Sequence, residues 1–134
     1  MKINWYLLLA IFIGGAIGTM IRYGINMQTM FTLYPLGTLI ENILGSFLLG
    51  VLTRYIFHMK LHEAWKAGLG VGFCGSLTTM STLAADAFML AGENSMLGAS
   101  LYVLLSLFGG LLVAFLGFVM TDALTKRKGA KSRG

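Results

Sequence analysis

Apolar residues run along this chain in four long stretches rather than in short alternation. The first uncharged stretch is Ile3 to Ile21. The second, Leu36 to Phe57, is interrupted by Glu41 and Asn42. The third runs from Ala67 to Ala85 and the fourth from Asn94 to Thr121. A helix needs about 20 apolar residues to cross a bilayer. We read helices over residues 4–24, 36–57, 65–90 and 95–123, forming one domain over 1–134 with a basic tail at 126–134. A signal peptide competes for the first stretch. That stretch is long and Gly-rich, with no convincing cleavage site. The connections are short: Asn26 to Tyr34, His58 to Glu63, and Gly92 to Asn94, with Pro35 opening the second helix. Trp5, Tyr6, Tyr34, Tyr55, Trp65 and Tyr102 fall mostly near the expected ends, where interfacial aromatics belong.

Composition agrees. Of 134 residues, 57% are hydrophobic and 11% charged, with a mean hydropathy of +0.80. Soluble domains carry about 25% charged residues, so a soluble enzyme domain, a secreted disulfide scaffold and a nucleic-acid module are excluded. Cys74 is the only cysteine; it permits no intrachain disulfide and reads as a small buried hydrophobe.

Charge sets an expected orientation. With four crossings, the N-terminus, the second connection and the C-terminus share one side. That side holds Lys2, Arg54, Lys60, Lys66, Lys126, Arg127, Lys128, Lys131 and Arg133, all but one of the 10 basic residues. The positive-inside rule places both termini in the cytoplasm. The tail reads equally as an anchor on anionic headgroups or as a solvated end. The remaining basic residue, Arg22, falls within the membrane. Gly14 and Gly18 form a small-xxx-small pair, and Ser106, Gly110 and Ala114 a second small stripe. Such stripes drive close helix association, either within the chain or in an oligomer. Four short helices enclose little alone, so an oligomer is expected.

Polar residues inside the membrane carry the functional signal, because they are expensive there. They are Arg22, the Glu41–Asn42 pair, Asp86, and the segment Gly75-Ser76-Leu77-Thr78-Thr79-Met80-Ser81-Thr82. In a regular helix each hydroxyl of that segment would bond back to its i−4 carbonyl. A break would instead expose carbonyls suited to Na⁺, and amides and hydroxyls suited to an anion.

Three segments resemble a known family. Gly72-Phe73-Cys74-Gly75-Ser76-Leu77-Thr78-Thr79-Met80-Ser81-Thr82-Leu83 resembles the third-helix signature of the CrcB/Fluc fluoride channels. Gly14-Gly15-Ala16-Ile17-Gly18-Thr19-Met20-Ile21-Arg22-Tyr23 is similar to the first-helix motif. Gly37-Thr38-Leu39-Ile40-Glu41-Asn42-Ile43-Leu44-Gly45-Ser46-Phe47 is similar to the second.

The resemblance implies an all-α membrane protein of four transmembrane helices, the third broken mid-membrane, assembled as an antiparallel dimer with two pores. It implies a structural Na⁺ at the dimer interface on the backbone carbonyls of Gly75 and Thr78. It places Asn42, Met80, Ser81, Thr82 and Leu83 along the fluoride path. Arg22, Thr38, Asp86, Tyr102 and Ser106 would form the polar track and vestibule. The implied activity is passive export of fluoride, which enters cells as neutral HF and ionises in the cytoplasm. Neutral donors such as the Asn amide and Ser/Thr hydroxyls suit it, because an ion must leave a pore as well as enter it.

Two features depart from the family. Met80 and Leu83 stand where the signature has two phenylalanines whose ring edges frame the pores. Glu41 occupies a position that is usually apolar. Its neighbour Asn42 points about 100° away on a helix. A strongly biased charge distribution suits one fixed-orientation member of a heterodimeric pair, whereas a homodimer needs insertion both ways. Two other functions compete: a small multidrug-resistance-type proton-coupled exporter, with Glu41 as its carboxylate, and a non-conducting membrane assembly subunit. His58 and His62 lack a third ligand and read as interfacial. The scattered methionines read as packing.

Overall fold

A computed structural model of the chain describes residues 4–32, 34–58, 61–93 and 95–131. Lys2, Ile3, Lys60, Asn94 and Arg133, which figure in the reading above, lie outside the described residues, as do the side chains of His58, Lys128 and Lys131. The described residues are helical, with no strand among them.

Helix α1 spans Trp5–Thr29 and starts at Asn4, whose side-chain oxygen accepts the Leu7 amide at 3.4 Å. It runs past Asn26, where the sequence led us to expect a loop. No proline interrupts it there, and Thr29 Oγ1 donates to the Ile25 carbonyl at 2.9 Å inside its last turn. Pro35 immediately precedes α2, Leu36–His58; proline is favoured at a helix start, where its missing N–H loses nothing. The short α3, Glu63–Ala67, is capped by His62, whose Nδ1 accepts the Ala64 amide at 3.3 Å.

A seven-residue π-helix, Gly68–Cys74, follows, then α4 at Gly75–Leu77. Thr78 is extended, with ψ of 154°, and α5 begins beyond it at Met80–Glu93. Helix α6, Met96–Lys131, has 36 residues and so is about 54 Å long at 1.5 Å per residue. Its final turns include Lys126 and Arg127, which the sequence reading left in a tail. Among the described residues, three helical stretches are long and apolar enough to cross a membrane: Trp5–Thr29, Leu36–Ile56 and Met96–Arg127.

The helices pack through missing side chains. A Cβ at Gly14 would strike the carbonyl oxygen of Gly68, and one at Gly18 would strike that of Phe73. So α1 lies backbone to backbone on the π-helix. The Ser76 hydroxyl secures this contact, 2.9 Å from the Gly15 carbonyl and 2.7 Å from that of Gly72. Helices α2 and α6 meet in the same way, Gly50 against the Ala114 backbone and Gly117 against that of Phe47. No described glycine has positive φ, so close approach is what these positions require. Both small-residue stripes are thus used within the chain.

Where α2 and α6 end, Arg54 pairs with Asp122, its Nε 2.8 Å from Oδ1, and its guanidinium lies 5.4 Å from the Phe118 ring centroid. Lys126 joins the same carboxylate at 2.8 Å. A small core gathers Leu83, Leu90, Ala99 and Tyr102 between α5 and α6. The outward faces are apolar: Phe12 is 73% exposed and Phe88 83%. Contiguous apolar surface of this kind belongs against lipid or another chain.

Candidate ion-conduction site

The interruption before Met80 comes from competition for one hydrogen. In a continuous helix the Thr79 amide would donate to the Gly75 carbonyl. It donates instead to Asn42 Oδ1 on α2, at 2.8 Å. Asn42 Nδ2 returns a bond to the Thr79 carbonyl at 3.1 Å and reaches Ser106 Oγ on α6 at 3.3 Å. One amide side chain therefore ties α2, the break and α6 together.

Thr79 then serves as the N-cap of α5. Its Oγ1 accepts the Thr82 amide at 3.2 Å, which is the usual role of a hydroxyl at that position. The Thr82 amide is the group that would otherwise meet the Thr78 carbonyl. Gly75 and Thr78 thus give up the amide donors a continuous helix would aim at their carbonyls. This fits the demands of a carbonyl-ligated Na⁺, a hard cation that takes oxygen donors and needs no acidic side chain.

Two other hydroxyls of the segment behave as in a regular helix: Ser76 bonds to Gly72 and Thr78 Oγ1 to the Cys74 carbonyl at 3.1 Å. Only from Thr79 onward does the hydroxyl pattern change.

Two cavities flank this knot. The first, about 310 Å³, is lined by Asn42, Ser46, Gly75, Thr78, Thr79 and Ser106, with Met80 and Leu83. The second, about 370 Å³, is lined by Thr38, Thr82, Asp86, Asn26 and Tyr34 among others. Hydroxyls connect them: Thr79 Oγ1, on the first, lies 3.0 Å from Thr82 Oγ1, on the second, and 3.2 Å from Ser81 Oγ. Tyr102 donates to Asp86 Oδ2 at 2.9 Å and also lies 3.3 Å from the Pro35 carbonyl. Thr38, Asp86, Tyr102 and Ser106 are all buried. The result is a chain of amide and hydroxyl groups that runs from Asn42 to Thr82, with the Asp86 carboxyl and Tyr102 beyond it.

The residues singled out in the sequence divide as follows. Asn42, Gly75, Thr78, Met80, Leu83 and Ser106 meet at the first cavity, and Thr38, Thr82 and Asp86 at the second. Met80 is 67% exposed and Leu83 2%, so the pair fronts one cavity from different depths. Ser81 is exposed and joins the network through Thr79. Arg22 is half-buried on α1 and lines neither cavity. Glu41 is fully buried, lines neither cavity, and neither carboxylate oxygen has a hydrogen-bond partner among the described residues. Arg22 is the cation whose charge acts on it. Thr79 and Ser46 were not picked out as site residues. A threonine directly before a helical run is an N-cap signature, which was the available signal for Thr79.

The profile of the family described as "CrcB-like protein, Camphor Resistance (CrcB)" matches residues 9–118. The chain belongs to the CrcB family. A protein named "Fluoride-specific ion channel FluC 2" from Halalkalibacterium halodurans is 50% identical over 121 residues, 90% of this chain and 90% of that one. A "Fluoride-specific ion channel FluC" from Pectobacterium carotovorum is 38% identical over 88% of this chain and 95% of its own length. A "Fluoride-specific ion channel FluC 2" from Bacillus subtilis is 39% identical over 92% of this chain and 96% of its own. Family membership and the apolar helices make this a multi-pass membrane protein. It is not an enzyme.

Proposed function

We propose that the chain is a subunit of a passive, fluoride-selective channel that lets fluoride leave the cytoplasm. The observation that carries this reading is the Asn42–Thr79–Ser106 knot beside the hydroxyl chain to Thr82, in a chain whose relatives are named fluoride-specific channels. A small, strongly hydrated anion needs donors to replace its water. Both Asn42 amide hydrogens are engaged here, the weaker contact being the 3.3 Å one to Ser106. Fluoride entering the first cavity competes for that hydrogen and for the Ser106 proton. Leaving costs little, because no fixed positive charge holds the ion.

On this reading residues 1–134 form one four-helix transmembrane domain. The segment from α3 to α5 is the third crossing, broken at Thr78–Thr79, and both termini are cytoplasmic. The subunit works as an antiparallel dimer. The first cavity lies on the face of the chain that carries exposed Met80 and exposed Gly75, and a second subunit would roof it. In that assembly the Gly75 and Thr78 carbonyls would hold a structural Na⁺, which supplies positive charge to neutralise oxygen dipoles at the interface. The charge bias favours a paired partner of opposite orientation over a second copy. Relatives named with the numeral 2 and, in Yersinia pseudotuberculosis, the numeral 1 support a paired arrangement.

The proton-coupled exporter would need its carboxylate at a cavity, and Glu41 faces neither of the two at the break. The test is fluoride efflux from liposomes holding the purified chain, alone and with an oppositely oriented family member. Fluoride-selective efflux with the partner supports the pair, and efflux from the chain alone supports the homodimer. Silence in both cases leaves the non-conducting subunit.

A further inference from the structure

A third cavity, about 590 Å³, lies away from the conduction site, in the cleft between α1 and the α3–π-helix segment. Its floor is made of small residues, Ala10, Gly14 and Gly68, which is why a cleft exists there at all. Leu9, Ile13 and Ile17 of α1 wall one side. From Tyr6 to Ile17 the cleft follows eleven helical steps, about 16 Å at 1.5 Å per residue. One leaflet of a bilayer is about 15 Å of hydrocarbon. Only one end is polar, where Tyr6, His62 and Trp65 meet. Trp65 is 65% exposed, and exposed indoles favour the headgroup boundary.

The sequence flanking those mouth residues carries basic residues in excess. Lys2, Lys60 and Lys66 each lie within four residues of a mouth residue, against the single acid Glu63. We infer that this cleft is a binding site for one anionic phospholipid, an acyl chain lying along α1 and the headgroup at the His62–Trp65 end. An apolar slot one leaflet deep fits a single chain, and the lysines select an anionic headgroup over a zwitterionic one. A second protein chain would need no such polarity at one end only. The bound lipid would lie against α1 where it clamps the π-helix through Gly14 and Gly68.

Trp65 is a built-in reporter. The chain has 2 tryptophans, so W5F leaves Trp65 as the sole tryptophan, which is excited selectively over tyrosine at the red edge of the absorption band. The protein is reconstituted into vesicles with a small fraction of phospholipid brominated on its acyl chains, as phosphatidylglycerol or as phosphatidylcholine. Trp65 quenching should reach its midpoint at a lower mole fraction of the brominated phosphatidylglycerol. The K66Q variant should shift that midpoint upward about fivefold, the effect of one lysine near an anionic surface. A64F, which narrows the cleft, should reduce quenching while keeping the melting transition. Equal quenching by the two lipids would reduce the cleft to ordinary annular contact and overturn the proposal. No quenching by either would overturn it too, and would mean that protein covers the cleft. The readout is independent of fluoride flux, so it stands or falls separately from the channel reading.

Discussion

Asn42→Ala removes one side chain with two separable jobs. It deletes three hydrogen bonds, at 2.8, 3.1 and 3.3 Å, that link α2 to Thr79 and Ser106. Each such bond contributes about 1 kcal/mol net. The Thr79 amide is then free to return to the Gly75 carbonyl, which recovers part of the loss by straightening the segment. The expected net destabilisation is therefore about 2–3 kcal/mol, with fluoride efflux abolished. Asn42→Asp separates the jobs. Its carboxylate still accepts the Thr79 amide, so the break keeps its pin. The new charge repels the permeating anion: at 4 Å and an effective dielectric of about 20, the Coulomb energy is about 4 kcal/mol. That lowers fluoride occupancy roughly a thousandfold, at about 1.4 kcal/mol per factor of ten. Thermal melts of the reconstituted protein read the first effect, and fluoride-electrode efflux from liposomes, in the combination that conducts, reads the second. The expected pattern is a less stable Ala variant, a more native-like Asp variant, and no flux through either. An Ala variant with a wild-type melting transition and efflux within about twofold of wild type would refute both the pin and the pore role.

The other predictions follow from single contacts. Gly14→Val drives a side chain into the Gly68 backbone and should cost more than the roughly 1–3 kcal/mol of ordinary overpacking, whereas Gly24→Ala, which meets open space, should be neutral or stabilising in the same melt. Glu41→Leu should raise the melting temperature, because the buried carboxylate gives up no hydrogen bond among the described residues; a fall would show that its attraction to Arg22 outweighs its desolvation. Thr79→Val keeps both backbone bonds to Asn42 but breaks the hydroxyl link between the cavities, so efflux should drop at least tenfold with a stability loss near ~1 kcal/mol. Arg54→Ala should lower the melting temperature only modestly, since the pair is partly exposed and Asp122 keeps Lys126; an unchanged unfolding transition would contradict the ion pair.

Much of this molecule was readable before any coordinates. Apolar stretches of membrane length reflect a solvent constraint that acts on composition alone, so the expected spans at 4–24, 36–57 and 95–123 each fall within or beside a long apolar helix, while the stretch 65–90 is divided among shorter helical elements. The motifs around Gly14, Asn42 and Thr78 identify the family because each is a local string. Boundaries were less legible. Helix α1 continues to Thr29 and α6 to Lys131 because charge and polarity end a membrane span without ending a helix.

Three things were decided only in three dimensions. The acceptor that takes the Thr79 amide, Asn42 Oδ1, lies 37 residues away, so the local string offers an N-cap threonine but not the partner that holds the interruption open. The small-residue stripes read the same whether they serve an oligomer or one chain, until Gly68 is found against Gly14 and Gly50 against Ala114. Glu41 and Asn42 are neighbours in sequence, yet one is sealed away and the other lines a cavity, because a helix turns about 100° per residue and only packing decides which side faces inward. Sequence determines what the bilayer will accept and which groups are on hand. Tertiary structure decides which hydrogen-bond partner each group takes, because an unpartnered polar group is costly in hydrocarbon and the choice depends on what the fold brings within about 3 Å.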